Sequence, residues 1–276
     1  MRNEVLFSIL LSWVFCSQLC SAGDTLSASQ MITENSSSNF VSTNHTFELG
    51  FFNLSDRSEN RYLGIWYHRL EPQTVVWIAN RDEPVLDSSG VFRISENGNL
   101  VVEGKSWSSQ LETSSSTNRT VRILDTGNLV LMDGDGNFLW QSFLNPTDTF
   151  LPGMKMDANL TLTSWRHATD PARGAFTFKL DHTQSYKVEK QSKLYWVFDG
   201  LVDTEANSPM ILQLLANNSS HKNAFAPPNL SHSRLVMNYS GEIQFLKWNE
   251  TKWDNLWMGP LDKCDRHNYC GSGRLR

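Results

Sequence analysis

Short stretches of alternating apolar and polar residues, separated by turn residues, predict β-strands along much of the chain. Phe92 and Ile94 alternate with Arg93 and Ser95, as in a strand that buries one face. An Asn-Gly dipeptide follows and can supply the positive φ of a tight turn, after which the run 99–102 starts a return strand. The pattern therefore predicts a hairpin here.

The same hairpin pattern recurs along the chain. RISENGNLVVEGKSWSSQ (93–110) aligns with RILDTGNLVLMDGDGNFLWQSF (122–143), and Asn99 corresponds to Asn128 at a spacing of 29 residues. A third, more divergent copy is predicted in 61–85, where a proline-containing turn separates two aromatic strands. Three four-strand units predict a threefold all-β arrangement over residues 24–144, in which inward Trp and Leu side chains share one core.

The remainder of the chain also reads as β-structure. Residues 174–200 alternate apolar and polar residues and predict two or three strands, and 233–257 predict a hairpin around Ser240-Gly241. The segment 203–231 is rich in Asn, Ser and Pro and predicts loops, in which His221 and the neighbouring His232 are expected to be solvated. We therefore expect a second β-rich region after the first.

The N-terminus and the charge limit the class of protein. The formal net charge is −5 without a cluster of Lys and Arg, which gives no support to a nucleic-acid partner. Residues 1–22 resemble a secretory signal peptide, with Arg2, an apolar stretch and small residues before a cleavage site after Ala22. Beyond it no apolar run approaches the length of a membrane span, and 209–216 is the longest. We expect a secreted chain without a membrane anchor.

Glycosylation motifs and cysteine usage agree with secretion. Sequons occur at ten positions: Asn35, Asn44, Asn53, Asn118, Asn159, Asn217, Asn218, Asn229, Asn238 and Asn249. Removal of the signal peptide leaves only Cys264 and Cys270, close to the C-terminus. The body of the protein is therefore expected to be held by its core and not by disulfides.

Two motifs suggest chemistry that their context does not support. Asp125-Thr-Gly resembles the catalytic triplet of an aspartic protease, but no second triplet lies in a matching context, and Asp125 aligns with Glu96 in the first copy. The segment 133–137 begins like a calcium loop but lacks the glycine at its sixth position and the glutamate at its twelfth. We interpret both as turns and predict no enzymatic activity, metal or cofactor.

Several longer motifs together resemble a plant receptor family. TVVWIANRDEPV (74–85), GNLVL (127–131), LWQSFLNPTDTFLPGMKM (139–156), LTSWRHATDPARGAFTF (162–178) and KCDRHNYCG (263–271) resemble the ectodomains of S-locus glycoproteins and G-type lectin S-receptor-like kinases. The resemblance implies a bulb-type lectin domain with a β-prism fold of three four-stranded sheets over 24–144. It also implies an S-locus glycoprotein domain over 145–263 and the start of an EGF-like module at 264–276. We expect the chain to end before the PAN, transmembrane and kinase regions of the family.

The mannose-binding motif of bulb lectins is degenerate in both copies. Its five positions, Gln, Asp, Asn, Val and Tyr in the family, hold Ser95, Asn97, Asn99, Val101 and Glu103 in the first copy and Leu124, Thr126, Asn128, Val130 and Met132 in the second. The candidate carbohydrate-binding residues are Asn97, Asn99, Val101, Asn128 and Val130. Each lost polar partner should cost on the order of 1 kcal/mol, so we expect weak or absent mannose binding.

Two functions remain open from the sequence. The first is a secreted, non-catalytic recognition module that binds an extracellular peptide, glycan or receptor-kinase partner, as the family does in pollen recognition or defence-type signalling. The second is a mannose-binding or other carbohydrate-binding lectin that acts in defence. Family members lie at the plasma membrane, whereas this chain is expected in the apoplast.

The two C-terminal cysteines lack the partners that the resemblance implies. In an EGF-like module Cys264 and Cys270 would pair with later cysteines, which the sequence does not contain. They could pair with each other, join two chains into a covalent homodimer, or cause retention by quality control. We expect one of the last two outcomes, because a short terminal loop gains little from an internal bridge.

Overall fold

The regular secondary structure of the described part of the protein consists almost entirely of β-strands. The computed structural model describes residues 23–34, 36, 40–55, 58–86, 88–103, 107–112, 118–182, 185–198 and 232–261. Its first twelve strands are β1 (Thr25–Ser27), β2 (Met31–Thr33), β3 (Phe40–Val41), β4 (Phe47–Phe52), β5 (Tyr62–Tyr67), β6 (Val75–Ile78), β7 (Val91–Ile94), β8 (Leu100–Glu103), β9 (Trp107–Ser108), β10 (Thr120–Ile123), β11 (Leu129–Met132) and β12 (Phe138–Gln141). A 3₁₀ turn, Ser142–Leu144, follows β12.

These twelve strands form three antiparallel four-stranded sheets, as the sequence predicts. Sheet I has the order β2-β7-β8-β9, sheet II the order β1-β10-β11-β12 and sheet III the order β3-β4-β5-β6. In sheets I and II an early strand joins the edge of three consecutive strands, whereas sheet III uses four consecutive strands. The two predicted strands of the third copy, β5 and β6, are confirmed, and the unit extends back to Phe40.

The three sheets share one aromatic core, which confirms the prediction of a prism. Trp77, Trp107 and Trp140 lie on the last strand of their sheets and pack edge to face, with ring centroids 5.6–5.9 Å apart. Such edge-to-face contacts match the charge distribution of aromatic rings. Gly98 and Gly127 have φ of +81° and +86°, so the predicted turn glycines are also confirmed.

The second half of the chain forms two more four-stranded sheets. Its strands are β13 (Thr149–Phe150), β14 (Thr161–His167), β15 (Asp170–Leu180), β16 (Tyr186–Lys190), β17 (Lys193–Phe198), β18 (Ser233–Met237), β19 (Ile243–Trp248) and β20 (Trp253–Gly259). Sheet IV has the order β14-β15-β16-β17 and sheet V the order β13-β18-β19-β20. Both predicted strand regions are confirmed, and Gly241 has φ of +97° in the hairpin turn.

All five sheets are built on one unit, a relationship that the sequence analysis does not predict. A row of four apolar side chains crosses each sheet on its inward face and ends at a tryptophan of the last strand; all of them are buried except Trp107, which is half-buried. The rows are Ile32, Phe92, Val102 and Trp107 in sheet I; Leu26, Val121, Leu131 and Trp140 in sheet II; Phe40, Leu49, Ile65 and Trp77 in sheet III; Leu162, Phe178, Val188 and Trp196 in sheet IV; and Phe150, Leu235, Phe245 and Trp257 in sheet V. The second half therefore repeats the packing of the first.

Several sequence predictions fall outside the described residues. These are the signal peptide at 1–22, the whole loop segment 203–231 with His221, and the two cysteines, Cys264 and Cys270. His232 is described and is exposed, as predicted, with its ring centroid 6.3 Å from that of Tyr67. Within the part of the chain that the structure describes, no helix is long and apolar enough to cross a membrane.

Candidate functional site

The outward faces of sheets I and II carry matching rows of side chains. Across sheet I the row is Met31, Arg93, Val101 and Ser108, and across sheet II it is Thr25, Arg122, Val130 and Gln141. Both rows place an arginine on the second strand opposite a valine on the third. These faces contain the two retained valines of the degenerate lectin motif and are the candidate binding surfaces.

An acidic side chain accompanies each arginine on these faces. On sheet I the guanidinium of Arg93 pairs with Glu103, which occupies the tyrosine position of the lectin motif. On sheet II the Nε of Arg122 donates to Asp24 at 2.7 Å. Burial acts to raise the pKa of the Asp24 carboxyl, but hydrogen bonds from Thr43, Thr25 and Arg122 outweigh it and lower the pKa overall. Both faces therefore carry paired charges.

Asn99, the retained asparagine of the first copy, is buried and forms internal hydrogen bonds. Its Oδ1 accepts hydrogen bonds from the Ser109 hydroxyl at 2.9 Å and from the Leu111 amide at 2.7 Å. Its Nδ2 donates to Asn97 at 3.3 Å. The side chain thus ties the end of β9 to the start of β8.

Asn128 makes equivalent contacts in the second copy. Its Oδ1 accepts from the Ser142 hydroxyl at 3.3 Å and from the Phe143 amide at 3.1 Å, and its Nδ2 donates to Gln141 at 3.0 Å. Asn99 and Asn128 are each only 5% exposed. Both asparagines are therefore positioned by the fold as internal hydrogen-bonding residues.

The other candidate residues do not converge with them on one surface. Asn97 is exposed at the hairpin turn, where its Oδ1 accepts from Ser95 and from the amide of Asn99. Val101 is half-buried on the open face of sheet I, whereas Val130 is fully buried. The five motif residues thus divide between core, turn and face.

The outward face of sheet III is closed, in contrast to the other two. Every residue of β5 is buried. Phe52, Tyr62, Trp66 and Ile78 form an apolar cluster on this face, and Trp165 of β14 packs against it. A Cβ on Gly64 would lie 2.6 Å from a ring carbon of Phe52, so this aromatic layer rests directly on the strand. The second half of the chain therefore covers one of the three prism faces.

Three consecutive polar residues, Asn80, Arg81 and Asp82, fasten this contact. The Oδ1 of Asn80 accepts the Leu63 amide at 2.8 Å, within sheet III. Asp82 accepts the backbone amide of Arg173 at 2.9 Å and forms an ion pair with its side chain at 2.7 Å. The triplet therefore links sheet III to β15.

Arg81 lies at the centre of the junction and is 5% exposed. Its guanidinium donates to the carbonyl oxygens of Pro171 at 2.7 Å, Thr163 at 3.0 Å and Ser164 at 2.8 Å. Burial lowers the pKa of Arg81 from its ordinary value, although Asp148 and Asp82 act in the opposite direction. Burial likewise raises the pKa of the Asp148 carboxyl, against the influence of Arg81 and Arg234. The sequence analysis missed these residues; their one signal was a polar triplet directly after an apolar strand.

The two motifs interpreted as turns lie in turns. Asp125 follows β10, and its Oδ1 accepts the backbone amide of Asn44 at 2.7 Å. Asp133 accepts the amides of Asp135 at 3.0 Å and Asn137 at 2.8 Å, which stabilises the connection between β11 and β12. Each aspartate therefore has a structural partner.

Several sequon asparagines lie on the surface. Asn44, Asn118, Asn159 and Asn249 are exposed, and Asn53 and Asn238 are half-buried. The remaining sequons, at Asn35, Asn217, Asn218 and Asn229, lie outside the described residues.

Comparisons with known proteins identify the family of this fold. A family model described as D-mannose binding lectin matches residues 74–169, and one described as S-locus glycoprotein domain matches residues 192–274. The S-locus-specific glycoprotein S6 of Brassica oleracea is 35% identical over 98% of this chain and 68% of its own length. The chain belongs to the S-locus glycoprotein family. Its lectin and S-locus glycoprotein domains are of non-catalytic types.

This S-locus glycoprotein family member also resembles the ectodomains of receptor kinases. A G-type lectin S-receptor-like serine/threonine-protein kinase of Arabidopsis thaliana is 41% identical over 88% of the chain, which spans 31% of that protein's length. The putative inactive S-receptor-like kinase of the same species is 34% identical, with 90% and 50% covered. The matched part of these relatives is a lectin-like ectodomain.

Solved lectin structures also resemble the chain. A monomeric mannose-binding lectin from Gastrodia elata has 16% identity and a TM-score of 0.33, and covers 44% of this chain and 96% of its own. The two-domain fetuin-binding lectin of Scilla campanulata has 12% identity and a TM-score of 0.28, and covers 86% and 88%.

Proposed function

We propose that this protein is a secreted, non-catalytic recognition module that uses the lectin fold as a scaffold. Its ligand is an extracellular peptide, glycan or receptor-kinase partner, in pollen recognition or defence-type signalling. Residues 1–22 are its signal peptide, 24–144 its lectin domain and 145–263 its S-locus glycoprotein domain. The chain carries N-glycans and acts in the apoplast.

The burial of Asn99 and Asn128 carries this proposal. A sugar site built on hydrogen bonds needs amide and hydroxyl groups that face the ligand. Both retained amides instead bond to Ser109, Ser142 and backbone amides inside the prism. Each asparagine stabilises its hairpin through these internal hydrogen bonds. Its presence in the sequence therefore does not require a role in sugar binding.

The open faces of sheets I and II suit a macromolecular partner. Each presents an arginine with a neighbouring carboxylate, and sheet I adds the half-buried Val101; such mixtures of arginine and apolar groups are common in protein interfaces. Arg93 and Arg122 can donate bidentate hydrogen bonds to carboxylates or carbonyl groups of a partner.

A mannose-binding or other carbohydrate-binding lectin acting in defence is the second candidate function. The Asn-x-Val pairs at 99–101 and 128–130 are retained, and the D-mannose binding lectin model matches 74–169. In that case Val101, at the centre of the open face of sheet I, would pack against the sugar ring.

Binding of methyl α-mannoside distinguishes the two functions. The secreted chain is first deglycosylated, so that its own glycans do not compete, and is then titrated by calorimetry. If the protein is a scaffold, no part of the heat signal should depend on Val101. The test variant is Val101→Asp, which changes a half-buried side chain on the outward face and leaves the core intact. A saturable signal lost in this variant at an unchanged melting temperature would establish the lectin instead.

A covalent homodimer through Cys264 and Cys270 is part of the proposal. Non-reducing electrophoresis of the secreted chain should show a reducible dimer that disappears in the Cys264→Ser, Cys270→Ser double variant. A monomer without free thiols would contradict it.

A further inference from the structure

We propose that the outward face of sheet IV carries a binding groove for a neutral saccharide, separate from the faces of sheets I and II. A groove of about 340 Å³ lies on this face, at the lower end of the range of about 300–1,000 Å³ typical of ligand pockets. Its polar lining comes from Thr161, Thr177, Lys179, Glu189, Gln191 and Ser192. The inference goes beyond the proposed function and does not depend on it.

The strand alternation directs these side chains away from the core. Phe176, Phe178 and Val188 are buried on the inward face. Because successive side chains of a strand point to opposite faces, Thr177 and Lys179 of β15 face outward. Gly174 and Ala175, earlier in β15, complete the lining of the groove.

The charges in the groove are balanced. Lys179 Nζ lies 2.9 Å from Glu189 Oε2, so the two groups neutralise each other and attract neither a free anion nor a cation strongly. An ammonium group has three N–H donors and a carboxylate accepts several hydrogen bonds, so one ion-pair contact does not exhaust either group. Together with the threonine hydroxyls, this pair can donate to and accept from neighbouring hydroxyl groups of one ligand, which is the chemistry of a sugar.

The turn at the rim of the groove has residues with side chains at two positions whose positive φ favours glycine. Gln191 and Ser192 form the two-residue connection between β16 and β17, with φ of +49° and +64°. Such turns favour Asn-Gly, because L-residues with side chains are disfavoured at positive φ. Residues held in this region concentrate at ligand sites. Gln191 and Ser192 therefore place exposed polar side chains at the rim, where they can hydrogen-bond a ligand.

The chain itself can supply a saccharide to this groove. Thr161 is the third residue of the sequon Asn159-Leu-Thr, and Asn159 is exposed. A glycan attached to Asn159 would begin two residues from the groove. The occupant is therefore either a free saccharide or the protein's own glycan, and the two share one binding chemistry.

An exposed ion pair outside the groove offers a control. Lys252 Nζ lies 3.5 Å from Asp254 Oδ1 near the start of β20. Removing this pair also takes away one positive and one negative charge, but it leaves the groove of sheet IV unchanged.

The intact chain and the Asn159→Gln variant are screened on a neutral-glycan array. Both are also titrated with methyl α-mannoside, N-acetylglucosamine and cellobiose. We expect at least one saccharide to bind the Asn159→Gln chain. The affinity of this saccharide should fall about tenfold or more when Lys179→Gln and Glu189→Gln are added, because two charged hydrogen-bonding groups are lost. The Lys252→Gln, Asp254→Asn control should bind as before. Binding to both chains identifies a free ligand, and binding only without the Asn159 glycan identifies the protein's own glycan.

A second variant separates binding from folding. Gln191→Gly, Ser192→Gly should raise the melting temperature, because glycine accepts positive φ, while it weakens saccharide binding. The proposal is overturned if no saccharide binds the Asn159→Gln chain, or if binding survives the Lys179→Gln, Glu189→Gln change. A signal that responds to Val101→Asp and not to the Lys179→Gln, Glu189→Gln change belongs to sheet I, and it would overturn both this proposal and the scaffold function.

Discussion

Sheets I and III share the same inward row but have opposite outward faces. On sheet I the position of Arg93 faces solvent beside Glu103, whereas the corresponding position of sheet III is Gly50, under the ring of Trp66. The inward tryptophans, Trp107 and Trp77, pack against each other with ring centroids 5.7 Å apart. The comparison shows that the core fixes the prism, while the outward residues decide whether a face binds the second half or remains open.

The largest loss of stability is expected from a change in the tryptophan core that the three prism sheets share. Trp140→Ala should destabilise the protein by roughly 3–5 kcal/mol, because a buried ring that contacts two other tryptophans leaves a large cavity. Urea unfolding measures the change. A loss below about 1 kcal/mol would mean that the threefold core does not carry the fold.

The closed face can be weakened through Arg81. Arg81→Ala should cost about 3 kcal/mol or more, because three buried carbonyl oxygens lose a charged donor. The matched change on the open face, Arg93→Ala, removes an exposed ion pair and should cost less than about 1 kcal/mol. Chemical denaturation of both variants, with limited proteolysis at the junction, measures the difference. Equal losses would contradict the contrast between the faces.

The paired asparagines test the equivalence of sheets I and II. Asn99→Ala and Asn128→Ala should each cost about 1–3 kcal/mol, because each leaves a buried serine hydroxyl and a backbone amide without an acceptor. The two losses should be similar when measured by thermal unfolding. A large loss at one position and none at the other would show that the two hairpins are not built alike.

The buried carboxyl at the junction predicts a pH dependence. Burial raises the pKa of Asp148 in the folded state, so the folded chain binds its proton more tightly than the unfolded chain. This contribution to stability is therefore present at low pH and is lost as the pH rises above 3.8 through the folded-state pKa. Asp148→Asn should flatten the stability profile in this window, in denaturation series collected at successive pH values. An unchanged slope would show that Asp148 ionises as freely as in the unfolded chain.

The smallest effect is expected at Asp125. The Oδ1 of Asp125 accepts the Asn44 amide, and the Oδ1 of an asparagine can accept it equally. Asp125→Asn should therefore change the stability by less than about 0.5 kcal/mol. Cleavage of casein at acid pH by the parent chain but not by this variant would show instead that Asp125 is a catalyst.

The sequence predicts the features that depend on local pattern. Alternation and turn glycines predict the hairpins around Gly98 and Gly127, and the repeat predicts that Trp140 lies inside. Asn99 shows where this reasoning fails. It precedes the first residue of β8, so it does not follow the alternation and turns toward Ser109.

The junction could not be predicted in the same way. Arg81 binds backbone carbonyl oxygens 82 to 90 residues away, and any residue type can present a carbonyl oxygen. The same applies to Trp165, whose contact with sheet III depends on how the halves meet. A single sequence contains no local signal for such contacts.

The unequal prism faces determine where the protein can diversify over evolution. Substitutions at Arg93 or Ser108 alter the surface of sheet I without changing the row that ends at tryptophan. Substitutions at Tyr62 or Trp66 disturb the face of sheet III against which the second half packs. Selection for new specificities can therefore act on two faces of one prism, while the third is constrained by architecture.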